Sequence, residues 1–440
     1  MEACNYKKIL FCLTCIFIFQ ISTILANAAI YYVDQNHPQA SDNNPGTEEL
    51  PWKTINHAAE VLHAGDTVFV KEGEYDVGRR DSYEIPAINP KSSGTEENPI
   101  IFKAYPGHQV KIKGDPKPIG AYYRNYIIYD GFILEAKGTL YGNLPADGGI
   151  LIIHAIGIVV RNCEIICHYV PTTDNHDGVR IDYSDNCIIS NCVIHGCRGD
   201  SWNSSGIKLY NDKNIIIEHC EIYDCNVAIY DKEAGNNNIF CYNIIHNCNI
   251  LAILLHTHTG GPGASGQEIY QNIIYNCGAG IQFDDAKDAN ISNVKIYNNI
   301  LYNTNNGGIK FQYCPNTEVW NNIIYMQSGI IYNCANGGNP DCCDNSCLYP
   351  SQTFMFTGTY YTTFEAWKYA TGHDRNSIHE DPLFVNPEAH DFHLRPNSPC
   401  INAGIDRQDY DGDGDTTEPI NMGCYITGDE IIGPILNQGP

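Results

Sequence analysis

A short motif recurs through the middle of the chain at steps of 23 to 29 residues, and this recurrence constrains the fold more than any other feature. Each copy holds an aliphatic or aromatic residue, Asn or Cys three positions later, and His or Tyr at its end. The six copies start at Ile189, Ile217, Phe240, Ile269, Ile296 and Val319. Steps of this length are too long for heptads and are typical of solenoid proteins, whose repeats stack as successive coils.

A second recurrent segment alternates in the manner of a β-strand. Its copies start at Gly149, Gly178, Gly206, Ala228, Ala252, Gly280, Gly308 and Gly329, and a β-branched residue always follows. Neighbouring side chains of a strand point to opposite faces. The first and third positions after the Gly or Ala therefore line an interior, and the second and fourth face solvent. Asp231 is the only charged residue at the third position.

The two segments predict two strands per repeat, joined by Asn, Asp and Gly turns, with coils about 4.8 Å apart. We therefore expect an all-β fold, a right-handed parallel β-helix of about 10 coils. The Asn of the first motif is expected to hydrogen-bond to its equivalents in the coils above and below. Cys occupies the same position as a small hydrophobe.

The open ends of a solenoid need protection, because they expose unpaired strand edges. Ile55, Ala58, Ala59 and Leu62 fall on one face of a short helix, which we expect to cap the N-terminal end. The expected division of the chain is a signal peptide (1–28), an N-terminal cap with the first coil (29–80), the β-helix (81–334) and an irregular C-terminal cap region (335–440).

The first residues are typical of a secretory signal peptide. Lys7 and Lys8 precede an apolar run that ends at Ile24, and Ala26-Asn27-Ala28 is a small-x-small cleavage site. The run is shorter than the roughly 20 apolar residues that span a bilayer. We expect cleavage after Ala28, secretion to the extracellular space and no membrane span.

Composition argues against several classes of protein. The chain carries 51 Asp and Glu against 26 Lys and Arg, a net charge of −25, so it lacks the basic excess that nucleic acids and anionic membranes require. With 43% hydrophobic residues it is not a disordered acidic tail either. We expect no nucleic-acid partner, and we expect the chain to act as a monomer.

The cysteines are numerous and regularly spaced. Three of the 20 lie in the signal peptide, which leaves 17, and an odd number leaves at least one thiol unpaired. Cys163, Cys192 and Cys220 recur 29 and 28 residues apart. Such spacing is typical of stacked core side chains rather than of a disulfide framework.

Several motifs at the two ends carry a family resemblance. They are Tyr31-Tyr-Val-Asp34, Asn44-Pro-Gly-Thr47, Pro51-Trp-Lys-Thr-Ile55, Gly65-Asp-Thr-Val68, Asp381-Pro-Leu-Phe384 and Asn402-Ala-Gly404. Through them the chain resembles the pectate-lyase-like right-handed β-helix superfamily of secreted carbohydrate-active proteins, and its N-terminal part is similar to family 9 polysaccharide lyases. The resemblance covers nearly the whole mature chain and implies the fold. It is less specific for chemistry, because this fold hosts lyases, hydrolases, epimerases and inert shafts.

One local match bears on catalysis. Gly206-Ile-Lys-Leu209 resembles the Gly-Phe-Lys-Leu stretch of family 9 lyases, whose Lys abstracts a proton, and this implies that Lys208 is a base. The preceding coil of those lyases holds an Asp-rich calcium site. Here that coil keeps one Asp of the adjacent pair, Asp177, and places Arg180 where a later Asp stands. Asp147, Asp177 and Asp182 remain candidate Ca²⁺ ligands, although Asp residues at strand ends often cap turns instead.

The outward strand positions supply a candidate active site for β-elimination, which needs a base and a cation that neutralises the uronate carboxylate. The candidate catalytic residues, across four consecutive coils, are Arg180, Lys208, Tyr210, Lys232 and His256. Candidate substrate contacts in the same rows are Tyr230, Asp284 and Lys310. The alternative is that these outward charges are simply solvated.

Three further features were assessed. His256-Thr-His258 begins a loop beside the patch that either walls a sugar groove, binds a metal or is a plain turn. Asp409, Asp411, Asp413 and Asp415 resemble the first half of a calcium loop, with Ile420 in place of the final Glu. The family resemblance also implies a disulfide between Cys400 and Cys424, where relatives tend to carry small residues.

The leading hypothesis is a polysaccharide lyase that cleaves an acidic, uronate-containing polysaccharide. Lys208 or Lys232 would be the base, Arg180 would neutralise the carboxylate, and Tyr210 or His256 would assist. One alternative is a non-catalytic carbohydrate-binding or surface-structural β-helix. Another is a glycoside hydrolase that uses Asp182, Asp284 or Asp285.

Overall fold

The computed structural model describes residues 28–79, 85–115, 117–136, 149–169, 175–233, 235–258, 261, 263–285, 291–335, 337–410, 412–428 and 430–435. The expected signal peptide therefore lies outside the described residues, apart from Ala28. Asp147 and Asp411 lie outside them as well.

Three long parallel sheets form the solenoid. Sheet A comprises Ile30–Val33, Thr67–Val70, Ile100–Ala104, Ile127–Asp130, Val159–Arg161, Ile188–Ser190, Ile216–Glu218, Ile239–Cys241, Glu268–Tyr270, Lys295–Tyr297, Glu318–Trp320 and Cys342–Asp344. Sheet B comprises Gly73–Arg79, Val110–Asp115, Phe132–Ala136, Glu164–Ile166, Val193–His195, Glu221–Tyr223, Ile244–His246, Ile273–Tyr275, Ile300–Tyr302, Ile323–Met326 and Cys347–Pro350. Sheet C comprises Ile119–Tyr122, Ile150–Ile153, Asp177–Asp182, Ser205–Tyr210, Val227–Lys232, Leu251–Thr257, Ile281–Asp285, Gly307–Phe311, Ile330–Cys334 and Thr353–Phe356, and Thr359–Tyr361 adds one antiparallel strand.

Short elements complete the fold. Three two-stranded sheets pair Ala264–Ser265 with Ile291–Ser292, Phe384–Asn386 with Asp391–Leu394, and Gly404–Ile405 with Pro419–Ile420. A 3-10 turn covers Pro387–Ala389. Nowhere in the described ranges is there a helix with the length and apolar character needed to traverse a bilayer.

Each coil contains three strands, so the prediction of two strands per repeat was wrong. The first sequence motif is not one strand but two, one in sheet A and one in sheet B. Between Ile188–Ser190 and Val193–His195, Asn191 adopts a left-handed φ of 53° and turns the chain. A one-residue bend of this kind leaves the hydrophobic pattern almost uninterrupted, and the sequence pattern therefore does not reveal it.

A ladder of buried Asn side chains follows the corner between sheets A and B, as expected. Nδ2 of Asn243 donates to Oδ1 of Asn272 over 3.0 Å. The same bond joins Asn272 to Asn299 and Asn299 to Asn322, each over 2.9 Å. In earlier coils this position holds the buried Cys163, Cys192 and Cys220. The ladder satisfies interior amide groups and fixes the alignment of successive coils.

All 17 Cys among the described residues are free thiols, and 16 of them are buried. A second column, between sheets B and C, comprises Cys167, Cys197, Cys225, Cys248 and Cys277. Burial raises the pKa of the Cys197 thiol well above its ordinary value. The predicted disulfide between Cys400 and Cys424 is not formed. The thiol of Cys400 instead interacts with that of Cys347 in the last coil, a contact that the periodicity of the repeat does not predict.

Both ends of the solenoid are covered. At the N-terminal end, helix α1 (Ile55–Val61) begins where the Thr54 hydroxyl accepts the amide of His57 over 3.2 Å, and it buries the predicted apolar face. At the other end, helix α2 (Phe364–Thr371) places Trp367 on Phe354 with ring centroids 4.9 Å apart. The sequence analysis did not predict α2. The last coil ends with Thr353–Phe356, one coil beyond the expected boundary at 334.

The C-terminal region folds back along sheets A and B. His390 stacks on Tyr275 with centroids 4.2 Å apart. A C-terminal strap, residues 423–428 and 430–435, then runs along the corner between sheets A and B. Main-chain N–H or C=O groups of the strap form hydrogen bonds, in order along the strap, with Asn321, Gln271, Tyr242 and Asn191. The strap therefore crosses the coils in reverse order.

Candidate functional site

The register of sheet C confirms the predicted alignment of the outward residues. One row runs through the partners Arg180, Lys208, Tyr230, Leu254, Gln282 and Lys310. A second row runs through Asp182, Tyr210, Lys232, His256 and Asp284. The five candidate catalytic residues therefore share one face, despite their separation along the chain.

The alternation of the strands predicted that this face is open to solvent, but the structure shows that part of it is covered. Lys208 is 1% exposed, and Tyr230 and Leu151 are fully buried, although all three occupy outward positions. The loop that precedes Ser205–Tyr210 contacts two of them: its Asn203 accepts from Lys208, and the ring centroid of its Trp202 lies 5.7 Å from that of Tyr230. The indole itself is 48% exposed. A side wall of loops thus encloses the centre of the face.

The ammonium group of Lys208 is held in place by acceptors. Nζ lies 3.0 Å from Oδ1 of Asp177 and donates to Oδ1 of Asn175 over 3.0 Å. It also donates to the carbonyl oxygen of Asn203 and, over 3.3 Å, to Oδ1 of the same residue. Four acceptor oxygens therefore surround the three N–H groups of this ammonium ion. The arrangement ties two loops to the sheet and hinders action of Lys208 as a base.

Arg180 forms the second half of this buried network. Its Nε donates to both carboxylate oxygens of Asp182 over 2.8 and 3.1 Å, and its Nη1 lies 3.7 Å from Oδ2 of Asp177. Burial raises the pKa of Asp182, and the adjacent guanidinium opposes that rise. Ser205 Oγ donates to Oδ1 of Asp177 over 2.6 Å.

These contacts test the expectation of calcium at Asp177 and Asp182. A Ca²⁺ ion needs six to eight oxygen ligands, several of them carboxylates that are free to approach it. Here Arg180 and Lys208 already neutralise both carboxylates. The described residues do not fit a calcium ion at this position, and no catalytic step is derived from one.

The edge of the face is more accessible. Lys232 is partly exposed, and its Nζ lies 5.7 Å from the centroid of the Tyr230 ring. The His256 ring packs edge-on against the rings of Tyr230 and Trp202, with centroids 6.0 Å away in each case. Burial, with a contribution from Tyr183, raises the pKa of Tyr210. Trp202, Tyr210, Lys232 and His256 form the more accessible part of the face, beside the buried network, and we refer to this partly exposed surface as the cleft.

Three charged or ionisable groups surround His256. Its Nδ1 lies 3.6 Å from Oδ2 of Asp284, and this imidazole holds the pKa of Asp284 below its ordinary value. His258 contacts the carboxylate of Glu233 directly. Burial and the charge of Lys232 lower the pKa of His258. The side chain of Asp285 lies outside the described part, and its backbone pairs with Thr257.

Lys310 lies two coils beyond His256 on the same face. It lines a shallow cavity of about 220 Å³, together with Gln282 and Asn333 from adjacent strands. The cavity extends the face along the solenoid axis.

The C-terminal acidic loop uses its carboxylates locally. Oδ1 of Asp409 accepts the amide of Gly414 over 2.9 Å, and Oδ1 of Asp413 accepts that of Asp415 over 2.8 Å. Asp415 in turn accepts the amide and hydroxyl of Thr417. Ile420 is buried and paired in a short strand. Calcium binding by this loop remains a prediction.

The sequence analysis missed four residues that shape the site: Asn175, Trp202, Asn203 and Glu233. The first three lie in loops outside the repeat, where no periodicity indicates which way a side chain turns. Glu233 directly follows a strand and has a left-handed φ of 61°. Tyr123, His154, Tyr183 and Asn211 adopt the same left-handed conformation directly after the four preceding strands of sheet C, and this recurrent turn was the one available signal.

Two family models match this chain. Residues 31–238 match the model described as Pel9A-like, right handed beta helix region, and residues 146–340 match that of the periplasmic copper-binding protein NosD. With the three stacked sheets, these matches show that the chain has a right-handed parallel β-helix fold, similar over residues 31–238 to that of the Pel9A-like family.

Individual relatives agree with this class. The chain is 25% identical over 448 residues to the uncharacterized protein YwoF of Bacillus subtilis strain 168, covering 82% of this chain and 91% of that protein. Pectate lyase Pel9A is similar in structure, with a TM-score of 0.56, 14% identity and coverage of 90% and 96%. A glycoside hydrolase matches with a TM-score of 0.50, 9% identity and coverage of 71% and 95%. At these identities the structures show the fold alone.

Proposed function

We propose that the protein is a secreted lyase that cleaves a uronate-containing polysaccharide by β-elimination on the outward face of sheet C. The observation that supports this most is the row Tyr210, Lys232 and His256, which aligns a cation and two proton-transfer groups beside the exposed indole of Trp202. Secretion rests on the signal-peptide pattern of the first 28 residues.

Lys232 is the proposed base. It is partly exposed at the edge of the cleft, so that its amine can reach a bound sugar. Lys208, the residue that the family resemblance favours, is 1% exposed and surrounded by acceptors. Its proposed role is to hold the loops around the cleft, and Tyr210 is the proposed proton donor to the leaving oxygen.

An acidic substrate fits the charge of the face. On a chain with a net charge of −25, this surface gathers Arg180, Lys208, Lys232 and Lys310. Arg180 and Lys208 interact with Asp177 and Asp182, whereas the side chains of Lys232 and Lys310 are partly exposed. These two lysines lie three coils apart, about 14 Å along the solenoid axis, so that a polyuronate chain of several units is needed to contact both.

The experiment is incubation with pectate, alginate and glycosaminoglycans while ultraviolet absorbance is recorded. Elimination creates an absorbing unsaturated uronide, whereas hydrolysis does not. We expect product on at least one polyuronate and a fall in rate of at least about 100-fold for Lys232→Gln. Lys213→Gln is the matched control, because Lys213 is a half-exposed lysine paired with Asp185 outside the cleft.

A non-catalytic carbohydrate-binding protein is the second candidate, and the closed network of Asp177, Arg180, Asp182 and Lys208 favours it. In that case every polyuronate stays intact, yet affinity electrophoresis shows retardation that Lys232→Gln reduces. Reducing ends without ultraviolet absorbance would instead indicate a hydrolase and contradict the proposed elimination.

A further inference from the structure

Three potential metal ligands converge where two strands of sheet C end. Glu233 follows the strand Val227–Lys232, and the next strand contributes His256 and leads directly to His258. One carboxylate oxygen and one nitrogen from each imidazole all lie within 4.8 Å of one another. Within the described part of the chain, no other group of three His, Cys, Asp or Glu side chains meets this criterion.

The backbone fixes this convergence. The amide of Glu233 donates to the carbonyl of His256 over 2.9 Å, while the carbonyl of Glu233 accepts the amide of Asn211 over 2.8 Å. The left-handed φ of Glu233 is uncommon for a residue other than Gly and ends the strand here. Its carboxylate is thereby buried, with only 7% of the side chain exposed.

His256 is the least satisfied member of the group. Both of its ring nitrogens are buried, and neither has a hydrogen-bond partner among the described residues. A buried polar atom without a partner costs about 1–3 kcal/mol. Asp284, 3.6 Å from Nδ1, lies where a carboxylate orients a metal-bound imidazole through its other nitrogen.

We propose that Glu233, His256 and His258 bind a divalent first-row transition-metal ion, represented here by Zn²⁺. Two imidazoles and one carboxylate suit zinc and its neighbours, whereas calcium and magnesium prefer oxygen ligands alone. Three protein ligands leave a coordination position open, as in zinc sites that bind water or substrate. Glu233 directly follows Lys232 in the chain, so the proposed metal site adjoins the proposed base.

This site is separate from the calcium site that the family resemblance implied. That site was expected on the coils of Asp177 and Asp182, and the present ligands come from later coils. The inference also stands without the lyase reaction, because it concerns metal binding by the free protein.

The test uses the full mature chain after treatment with a chelator and measures Zn²⁺ binding by isothermal titration calorimetry. We expect one Zn²⁺ per chain with a dissociation constant below about 1 µM, and no comparable site for Ca²⁺. His258→Ala should weaken binding at least about 100-fold. His168→Ala, which alters a half-exposed histidine paired with Glu135, should leave binding unchanged.

Cobalt distinguishes this site from the buried thiols. The Co²⁺-loaded protein should show a visible ligand-field spectrum without the intense near-ultraviolet band of a thiolate ligand, and His256→Ala should abolish that spectrum. Circular dichroism confirms that each variant is folded. Lys232→Gln should keep the metal although it loses elimination, so that the two proposals fail separately. Binding that is unaffected by both histidine variants, or a thiolate band, would overturn the inference.

Discussion

Nζ of Lys208 lies 3.0 Å from Oδ1 of Asp177, and each residue is only 1% exposed. A buried ion pair of this kind contributes little net stability, since both charges lose their hydration. Removal of one partner is costly, however, because it leaves the other charge buried without compensation. The pair therefore makes the fold around the cleft depend on both residues together.

The first prediction is that Lys208→Met lowers the free energy of unfolding by about 3–5 kcal/mol. The double variant Lys208→Met/Asp177→Asn should lose less free energy of unfolding than the two single variants lose together, because neither charge of the pair remains. Urea denaturation measures both quantities. Lys213→Met, at a half-exposed pair, should cost no more than about 1 kcal/mol. Additive losses would show that the pair is not coupled.

The second prediction concerns the Asn ladder. Asn272→Ala removes the oxygen that accepts both the main-chain and the side-chain amide of Asn243, and it removes one of the two donors to Oδ1 of Asn299. Each buried group left unsatisfied costs about 1–3 kcal/mol. We expect a loss of at least about 3 kcal/mol in urea denaturation. The control is Asn305→Ala at an exposed turn, with an expected change within about 0.5 kcal/mol. Equal effects of the two substitutions would contradict a role of the ladder in stability.

The third prediction is a pH dependence from Asp231, the one charged residue on the interior row of sheet C. Its carboxylate accepts Asn238 and Gln267 over 3.1 and 3.3 Å, and burial raises its pKa to about 6. The folded state then binds this proton more tightly than the unfolded chain, whose Asp pKa is about 3.9. Stability from this group therefore falls as pH rises from about 4 to about 6.

Asp231→Asn should remove that dependence. The free energy of unfolding of the variant, relative to that of the unsubstituted protein, should rise by about 1–3 kcal/mol between pH 4 and pH 7. Unfolding midpoints recorded across this range measure the difference. Asp224→Asn, at a side chain 47% exposed, should show a difference that varies by less than about 1 kcal/mol. A flat difference for Asp231→Asn would indicate that its carboxyl group is ionised throughout.

The fourth prediction follows from the proposed polysaccharide substrate. Trp202 exposes half of its indole at the cleft, and a sugar ring that packs on it gains about 1–1.5 kcal/mol. Trp202→Ala should therefore raise KM about tenfold and leave kcat nearly unchanged. Tyr369→Ala, at a residue 94% exposed on α2, is the control and should change neither constant. A fall in kcat alone would place Trp202 in the chemical step instead.

The repeat made the stacking of the coils predictable, down to the pairing of Arg180 with Lys208 and of Lys232 with His256. Side-chain alternation along a strand is a local property, and sequence pattern records it well. The burial of Lys208 was not predictable in this way, because it depends on loops that contain Asn175 and Trp202. Loop direction follows from contacts between distant residues, and periodicity carries no record of those contacts.

The disulfide expectation failed for a related reason. Cys347 belongs to the last coil, yet it lies against Cys400 of the C-terminal region. The return of the chain over its own coils brings the two together. Only contacts that arise inside the repeat could be anticipated from its period.

The C-terminal strap changes how unfolding can spread through the molecule. In an ordinary solenoid each coil touches only its nearest neighbours, so coils can peel away one at a time from an end. Here Ile435 is bonded to the corner at Asn191, while Gly423 is bonded to the corner at Asn321. Loss of the final coils would therefore also disturb the strap contacts of the middle coils. We expect the coils to unfold cooperatively in larger groups than contacts between nearest neighbours alone would give.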